Sequence, residues 1–167
     1  MRLEPGDDVL VTVEAHLVNA LGADSGRASV TFLGVQRIDV LRFGPRPDGS
    51  VVYATLGASR APMAEPTAML ADPVAGPRVE LVLALDEPRD SVLRALAVVA
   101  AVPSVEGLVL RPGGTVELGQ PLWDGSDVTS VLLGEPSHVP DLVLDGGRDP
   151  VRFLTVTPAA GGSTLES

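Results

Sequence analysis

Proline and glycine residues divide this chain into short segments, and their placement is the strongest constraint on its fold. The 167 residues include 15 prolines and 18 glycines. Proline interrupts helices and central strands, while glycine supplies turns. Only two of the segments between these residues keep the helical spacing of apolar side chains, and several others alternate as strands do. Strand–helix–strand units do not repeat along the chain, so a doubly wound parallel sheet is disfavoured.

The two helical segments differ in how much of their surface is apolar. Residues 7–21 place apolar side chains every three or four positions, and Gly22 can end this helix. The second helix begins after Pro88 and is predicted to stop at Pro103, because proline cannot continue a helix interior. Apolar residues lie on both faces of the second helix, so we expect it to be largely buried against a sheet.

The remaining segments predict strands. Residues 37–43 and 51–56 flank the turn sequence Arg46-Pro47-Asp48-Gly49 and should pair as an antiparallel hairpin. Further strands are expected at 28–33, 78–85, 108–111, 115–118, 142–144 and 151–157. Residues 128–133 leave the choice of structure open. The predicted fold class is therefore α+β, with a mixed, mostly antiparallel sheet packed with an N-terminal helix and a central buried helix.

The length of the chain suits one domain. We expect residues 1–158 to form it and residues 159–167, which are small and polar, to be a flexible C-terminal tail. Residues 61–77 hold four prolines and predict a long surface loop, a kind of segment that is often functional. The longest uncharged apolar run, residues 95–102, has eight residues, whereas a membrane span needs about 20. No signal peptide is visible, so we expect a cytoplasmic protein without membrane contact.

Charge and residue usage disfavour several functions. The net charge is −10, from 22 acids and 12 bases, and residues 101–167 hold nine of the acids and three of the bases. Phosphate is repelled by such a surface, so nucleic acid is disfavoured and a basic partner would be steered to the last third of the chain. The chain has no cysteine, no lysine and two histidines. Thiolate and histidine-rich metal sites are therefore excluded, and no cofactor is expected.

One segment is similar to the nucleophile turn of serine hydrolases. Gly57-Ala58-Ser59-Arg60-Ala61 follows the predicted strand 51–56 and matches the G-x-S-x-G pattern except at its last residue. His138 could serve as the base. Prolines follow the turn, however, and prevent the regular helix that such an elbow begins. The alternative interpretation is a strand that ends in a glycine turn, with Ser59 capping the backbone. A small serine hydrolase using Ser59 with His138 is thus the alternative function.

Several blocks of sequence resemble one family by their order and spacing. The first two are Val52-Tyr53-Ala54-Thr55-Leu56-Gly57-Ala58-Ser59 and Arg78-Val79-Glu80-Leu81-Val82-Leu83, with Pro62-Met63 between them. Later blocks are Leu110-Arg111-Pro112-Gly113-Gly114-Thr115-Val116, Gly119-Gln120-Pro121-Leu122 and Val151-Arg152-Phe153-Leu154-Thr155-Val156-Thr157-Pro158. Together they resemble the bacterial members of the suppressor of fused domain family, in which an aromatic-bearing strand ends in a Gly-x-Ser turn and a later strand carries a Glu-Leu pair.

The resemblance covers about residues 7–158 and implies a non-enzymatic domain that binds proteins. Animal relatives bind a transcription factor, and bacterial relatives are proposed as immunity proteins that neutralise toxins. The resemblance therefore implies a protein partner. A basic toxin would suit the acidic composition of the chain, and no metal is expected. The turn and the start of the loop after it are the predicted contact surface, through Gly57, Ser59, Arg60 and Met63. The sequence leaves the oligomeric state open.

Overall fold

The described part of the chain contains two helices, seven strands and one short 3₁₀ turn. It comprises residues 7–32, 37–63, 76–136 and 139–159 of a computed structural model. The helices are α1 (Asp7–Leu21) and α2 (Val92–Glu106), and the 3₁₀ turn is Ala58–Arg60. The strands are β1 (Gly26–Val30), β2 (Ile38–Phe43), β3 (Val51–Leu56), β4 (Arg78–Leu85), β5 (Thr115–Glu117), β6 (Ser130–Pro136) and β7 (Val151–Ala159).

All seven strands form one sheet, in the order β1-β2-β3-β4-β7-β6-β5. Every neighbouring pair is antiparallel except β4 and β7, which run parallel. The parallel pair needs a long connection, and α2, β5 and β6 supply it. The predicted hairpin of β2 and β3 is present, with Phe43 opposite Val52. The predicted α+β class, with a mixed and mostly antiparallel sheet, is confirmed.

Each face of the sheet packs against one helix. Helix α2 lies on one face and buries most of its residues, among them Leu96 and Val99, so the predicted central buried helix is confirmed. Helix α1 lies on the other face and buries Val9, Val13 and Leu17, which are spaced four residues apart. Neither helix has the length and apolar character that crossing a bilayer requires.

Several predicted boundaries are wrong, for physical reasons that the structure shows. Helix α2 continues past Pro103 to Glu106, where Gly107 adopts a left-handed conformation and donates its N–H to the Pro103 carbonyl. Pro103 removes only the hydrogen bond that its own N–H would have donated, and the left-handed Gly107 ends the helix instead. Residues 108–111 form no strand, and within residues 142–144 only an isolated bridge joins Leu142 to β7. The ambiguous segment 128–133 contains most of β6.

The predicted surface loop and tail lie largely outside the described residues. Of the loop, residues 64–75 are not described, but its two ends are: the Met63 N–H donates to the Pro77 carbonyl at 2.8 Å. This bond closes the base of the loop. Ala159, the first residue of the predicted tail, is the last residue of β7, and residues 160–167 lie outside the described part. The division into domain and tail stays a prediction.

Candidate functional site

A buried carboxylate organises the turn that follows β3. Glu80, in the central strand β4, is fully buried. Its Oε2 accepts the backbone N–H groups of Gly57 and Ser59, each at 2.9 Å, and the Ser59 hydroxyl at 2.6 Å. Its Oε1 accepts the Thr55 hydroxyl at 2.6 Å. Four donors converging on one side chain fix the turn to the sheet, and such buried networks depend on every member.

The sequence makes this turn possible in two ways. Strands β3 and β4 are paired only as far as Ala54 and Val82, and beyond this point the Thr55 hydroxyl accepts the N–H of Leu81 at 2.8 Å. A side chain thereby replaces a backbone acceptor, and the gap between the strands admits the Glu80 carboxylate. Gly57 has a φ of 153°, and a Cβ there would lie 2.9 Å from the carbonyl oxygen of Arg37. Only glycine fits this position.

A buried arginine satisfies the other side of the turn. Arg78 is 2% exposed, and its Nη1 donates to the carbonyl of Ser59 at 2.8 Å and to that of Arg60 at 3.2 Å. Arg78 and Glu80 are two residues apart in β4, so both side chains lie on the same face of the sheet. The strand thus binds the amide groups of the turn through Glu80 and its carbonyl groups through Arg78.

Burial of Glu80 makes the stability of the turn depend on pH. Burial raises this pKa above its usual value near 4.5, although the hydrogen bonds from Ser59 and Thr55 act in the opposite direction. The folded chain therefore binds this proton more tightly than the unfolded chain. The stabilisation from this proton is complete below pH 4.5 and is lost as the pH rises through the folded-state pKa.

We therefore expect the stability of the wild type, relative to a Glu80→Gln variant that cannot titrate, to fall as the pH rises above 4.5. Urea unfolding of both proteins between about pH 4 and pH 8 measures this difference, because the other titrating groups are shared. If the wild type instead gained stability relative to Glu80→Gln as the pH rises, hydrogen bonding rather than burial would dominate the pKa of Glu80.

This arrangement favours the structural interpretation of Ser59 over the nucleophile. The residue is fully buried, and its hydroxyl donates to a carboxylate. A serine nucleophile must also be accessible to its substrate, and the Ser59 side chain is not. The predicted glycine turn is present, although Ser59 is bound to the Glu80 side chain rather than capping the backbone. His138, the base of the alternative function, lies outside the described residues.

The four predicted contact residues differ in accessibility. Gly57 and Ser59 are buried, and Met63 is 7% exposed, with its sulfur accepting the N–H of Leu110. Arg60 is partly exposed, so it is the one of the four whose side chain a partner could reach without opening the turn. Their role in partner binding stays a prediction, and in this structure it centres on Arg60.

Arg60 lies beside a surface cleft of about 240 Å³ between α1, β2 and the 3₁₀ turn. Three ion pairs line this cleft. They join Arg27 to Glu14 at 2.6 Å, Arg37 to Asp39 at 3.0 Å and Arg60 to Asp7 at 3.5 Å. Bases and acids are equal in number, so the lining carries no excess charge of either sign. The cleft suits polar contacts with a protein surface better than capture of a single ion.

The histidine that the structure describes serves packing. His16 stacks on Phe153 with ring centroids 5.4 Å apart, and its Nε2 lies 2.7 Å from the carbonyl oxygen of Pro140. These contacts fasten α1 to β7 and to the segment before it. Among the described residues, His, Asp and Glu side chains form no group of three or more that could hold a metal ion.

Comparison with known families shows which family the chain belongs to. The family model described as suppressor of fused protein matches residues 34–160, which is most of the sequence. The chain therefore belongs to the suppressor of fused family. Its two central features, the turn after β3 and Glu80, both fall within the matched region. No curated protein matches the chain in sequence.

Solved structures of the family share the fold. A suppressor of fused homolog from Neisseria gonorrhoeae FA 1090 aligns with a TM-score of 0.66 at 18% identity, covering 93% of this chain and 79% of that chain. The structure of the Sufu–Fu complex aligns at 0.62 and 16% identity, covering 96% and 78%. Drosophila Suppressor of Fused aligns at 0.59 and 14% identity, covering 94% of this chain and 42% of that chain.

Proposed function

We propose that this chain is a non-enzymatic domain that binds another protein. The observation that carries the proposal is the match to a family one of whose members has been solved as the Sufu–Fu complex, in a fold that covers 96% of this chain. The geometry of the turn supports it as well. The one serine placed like a nucleophile is buried and bound to Glu80, so it serves the fold rather than a reaction.

The proposed partner is a basic toxin, which the chain would neutralise as an immunity protein in the cytoplasm. The net charge of −10 supports this choice, because an acidic surface accelerates association with a basic protein and disfavours association with an acidic one. The resemblance to bacterial members of the family, which are proposed as immunity proteins, also supports this role.

The test is capture of the partner from a lysate of the source cells on immobilised chain, with identification by mass spectrometry. We expect one basic protein to be retained in proportion to the bait and to be released by salt. Co-expression of that protein with the chain should then restore growth that the protein alone stops. Retention of no protein would overturn the binding proposal, and retention of a harmless protein would overturn the toxin proposal alone.

Arg60 allows the predicted contact surface to be tested on the captured protein. An Arg60→Ala variant is expected to bind about tenfold more weakly, because an interface arginine commonly contributes more than 1 kcal/mol. Arg94→Ala is the matched control, since Arg94 is exposed on α2 and forms no ion pair with any described residue. Titration calorimetry measures both affinities. Equal affinities for the two variants would remove Arg60 from the contact surface.

A further inference from the structure

One part of the sheet has a face that neither α1 nor α2 covers. Strand pairing places Thr115 of β5, Leu132 of β6 and Thr157 of β7 side by side. All three are exposed, and Leu132 retains 39% of its accessible surface. Glu117, two residues after Thr115, lies on the same face and is also exposed. We call these four residues the edge face.

The opposite side of the same strands packs into the core, although Val116 of β5 is only partly buried there. Val131 and Leu133 of β6 and Val156 of β7 are buried in the same core cluster as the side chains of α2. On the side of the edge face, α1 packs on β2, β3, β4 and β7, and the core cluster there includes no described residue of β5 or β6. Ser130, which pairs with Glu117 on this face, is buried, so the exposed part is the row of Thr115, Leu132 and Thr157 with Glu117 beside it. One face of an antiparallel sheet can stay accessible in this way and offer a surface to a partner.

The segment that builds β5 and β6 carries charge of one sign. Residues 112–147 contain six acids and no arginine or lysine. Asp145 pairs with Arg148. The other five acids form no ion pair with any residue that the structure describes, and they are Glu117, Asp124, Asp127, Glu135 and Asp141. The cleft beside Arg60 differs, because each of its three carboxylates is matched by an arginine.

We propose that the edge face is the docking surface for a basic protein partner. The occupant follows from charge complementarity: the exposed threonine and leucine side chains provide the contact, and the Glu117 carboxylate on the same face, together with the other acids of residues 112–147 that form no ion pair with a described residue, attracts a positively charged surface. This assignment rests on the proposed function and adds to it the place of contact and the charge of the partner. The charge-balanced cleft beside Arg60 would then make polar contacts with the partner but would not attract it from a distance.

The test uses two charge reversals of equal size. Glu117→Arg lies on the edge face, and Glu106→Arg lies at the exposed end of α2. Both change the net charge by two, so they differ only in position. On the protein captured from the lysate, we expect Glu117→Arg to weaken binding about tenfold, mainly through a slower association rate, and Glu106→Arg to change it less than twofold. Equal effects of the two variants would show bulk attraction only and overturn the proposal.

A defined probe keeps the proposal independent of the lysate. A synthetic peptide of alternating arginine and leucine is titrated into the isotope-labelled chain at about 150 mM salt, and amide shifts are followed by NMR. Shifts centred on Thr115, Leu132 and Thr157 support the edge face, and shifts centred on the cleft beside Arg60 overturn it. If the lysate yields no protein while the peptide binds the edge face, the proposed function fails and the docking surface stands.

A second copy of the chain is the competing occupant. Sedimentation of the wild type and of Leu132→Arg at about 100 μM distinguishes it, and thermal unfolding of the variant verifies that it is folded. We expect both proteins to have the same oligomeric state. A wild-type dimer that Leu132→Arg converts to monomer would show that the edge face is occupied by another copy, and would overturn the assignment to a basic partner.

Discussion

A Glu80→Ala variant is expected to lose roughly 3–5 kcal/mol of its free energy of unfolding, because it removes the common acceptor of a buried network. Four donors bond to this carboxylate, and alanine at position 80 would offer them no acceptor. The matched control is Glu80→Gln. Its amide oxygen can still accept at the position of Oε2, so we expect a loss of only about 1–2 kcal/mol.

Urea unfolding followed by circular dichroism measures both variants at the pH of maximum stability. If Glu80→Ala folds too poorly for this measurement, Glu80→Gln and Ser59→Ala together still test the network, since Ser59→Ala removes one donor and leaves the acceptor. Equal losses for alanine and glutamine at position 80 would contradict a role in hydrogen bonding and leave only the packing of the side chain.

A Gly57→Ala variant is expected to lose about 3 kcal/mol, although it adds a single methyl group. Gly57 has a φ of 153°, a backbone conformation that residues with a side chain rarely adopt. The new Cβ would also lie 2.9 and 3.0 Å from backbone atoms of Arg37 and Ile38. Backbone cannot give way as a flexible side chain does. The strain would act on the turn and on the start of β2 together.

Gly107→Ala is the control for backbone conformation alone. Gly107 also has a positive φ, of 71°, but a Cβ there would have no atom within 4 Å. We expect a loss of about 1 kcal/mol for this variant. Thermal unfolding of the two proteins gives the comparison. Losses of similar size would indicate that the close approach of Gly57 to β2 is relieved by movement of the turn.

The sequence predicted the elements of the fold better than it predicted the site. Helix α1 and strand β3 begin and end where their patterns indicate, because local periodicity determines both. The end of α2 depends on Gly107 rather than on Pro103, which propensity alone does not reveal. Residues 108–111 have a strand-like composition, yet their backbone finds no strand partner.

The site could not be predicted because its residues are distant in sequence. The resemblance to the family selected the Gly-x-Ser turn and the Glu-Leu pair as separate blocks, and the structure joins them through Ser59 and Glu80. A buried acid in an alternating strand is the one signal that could have indicated this pairing, since such a group requires donors. The ion pairs of the cleft join residues up to 53 positions apart, from Asp7 to Arg60, and leave no local pattern.

The spacing of the two charged residues in β4 has a consequence for how the chain reaches its native pairing. Arg78 and Glu80 bind the turn from one face, whereas Val79 and Leu81 fill the core on the other. A slip of β4 by one position would turn Val79 and Leu81 towards the polar groups of the turn. It would also bury the charged groups of Arg78 and Glu80 in the hydrophobic core without partners. The turn after β3 therefore favours one alignment of β4 in the sheet, because only the native register gives its polar groups and the two charged side chains their partners.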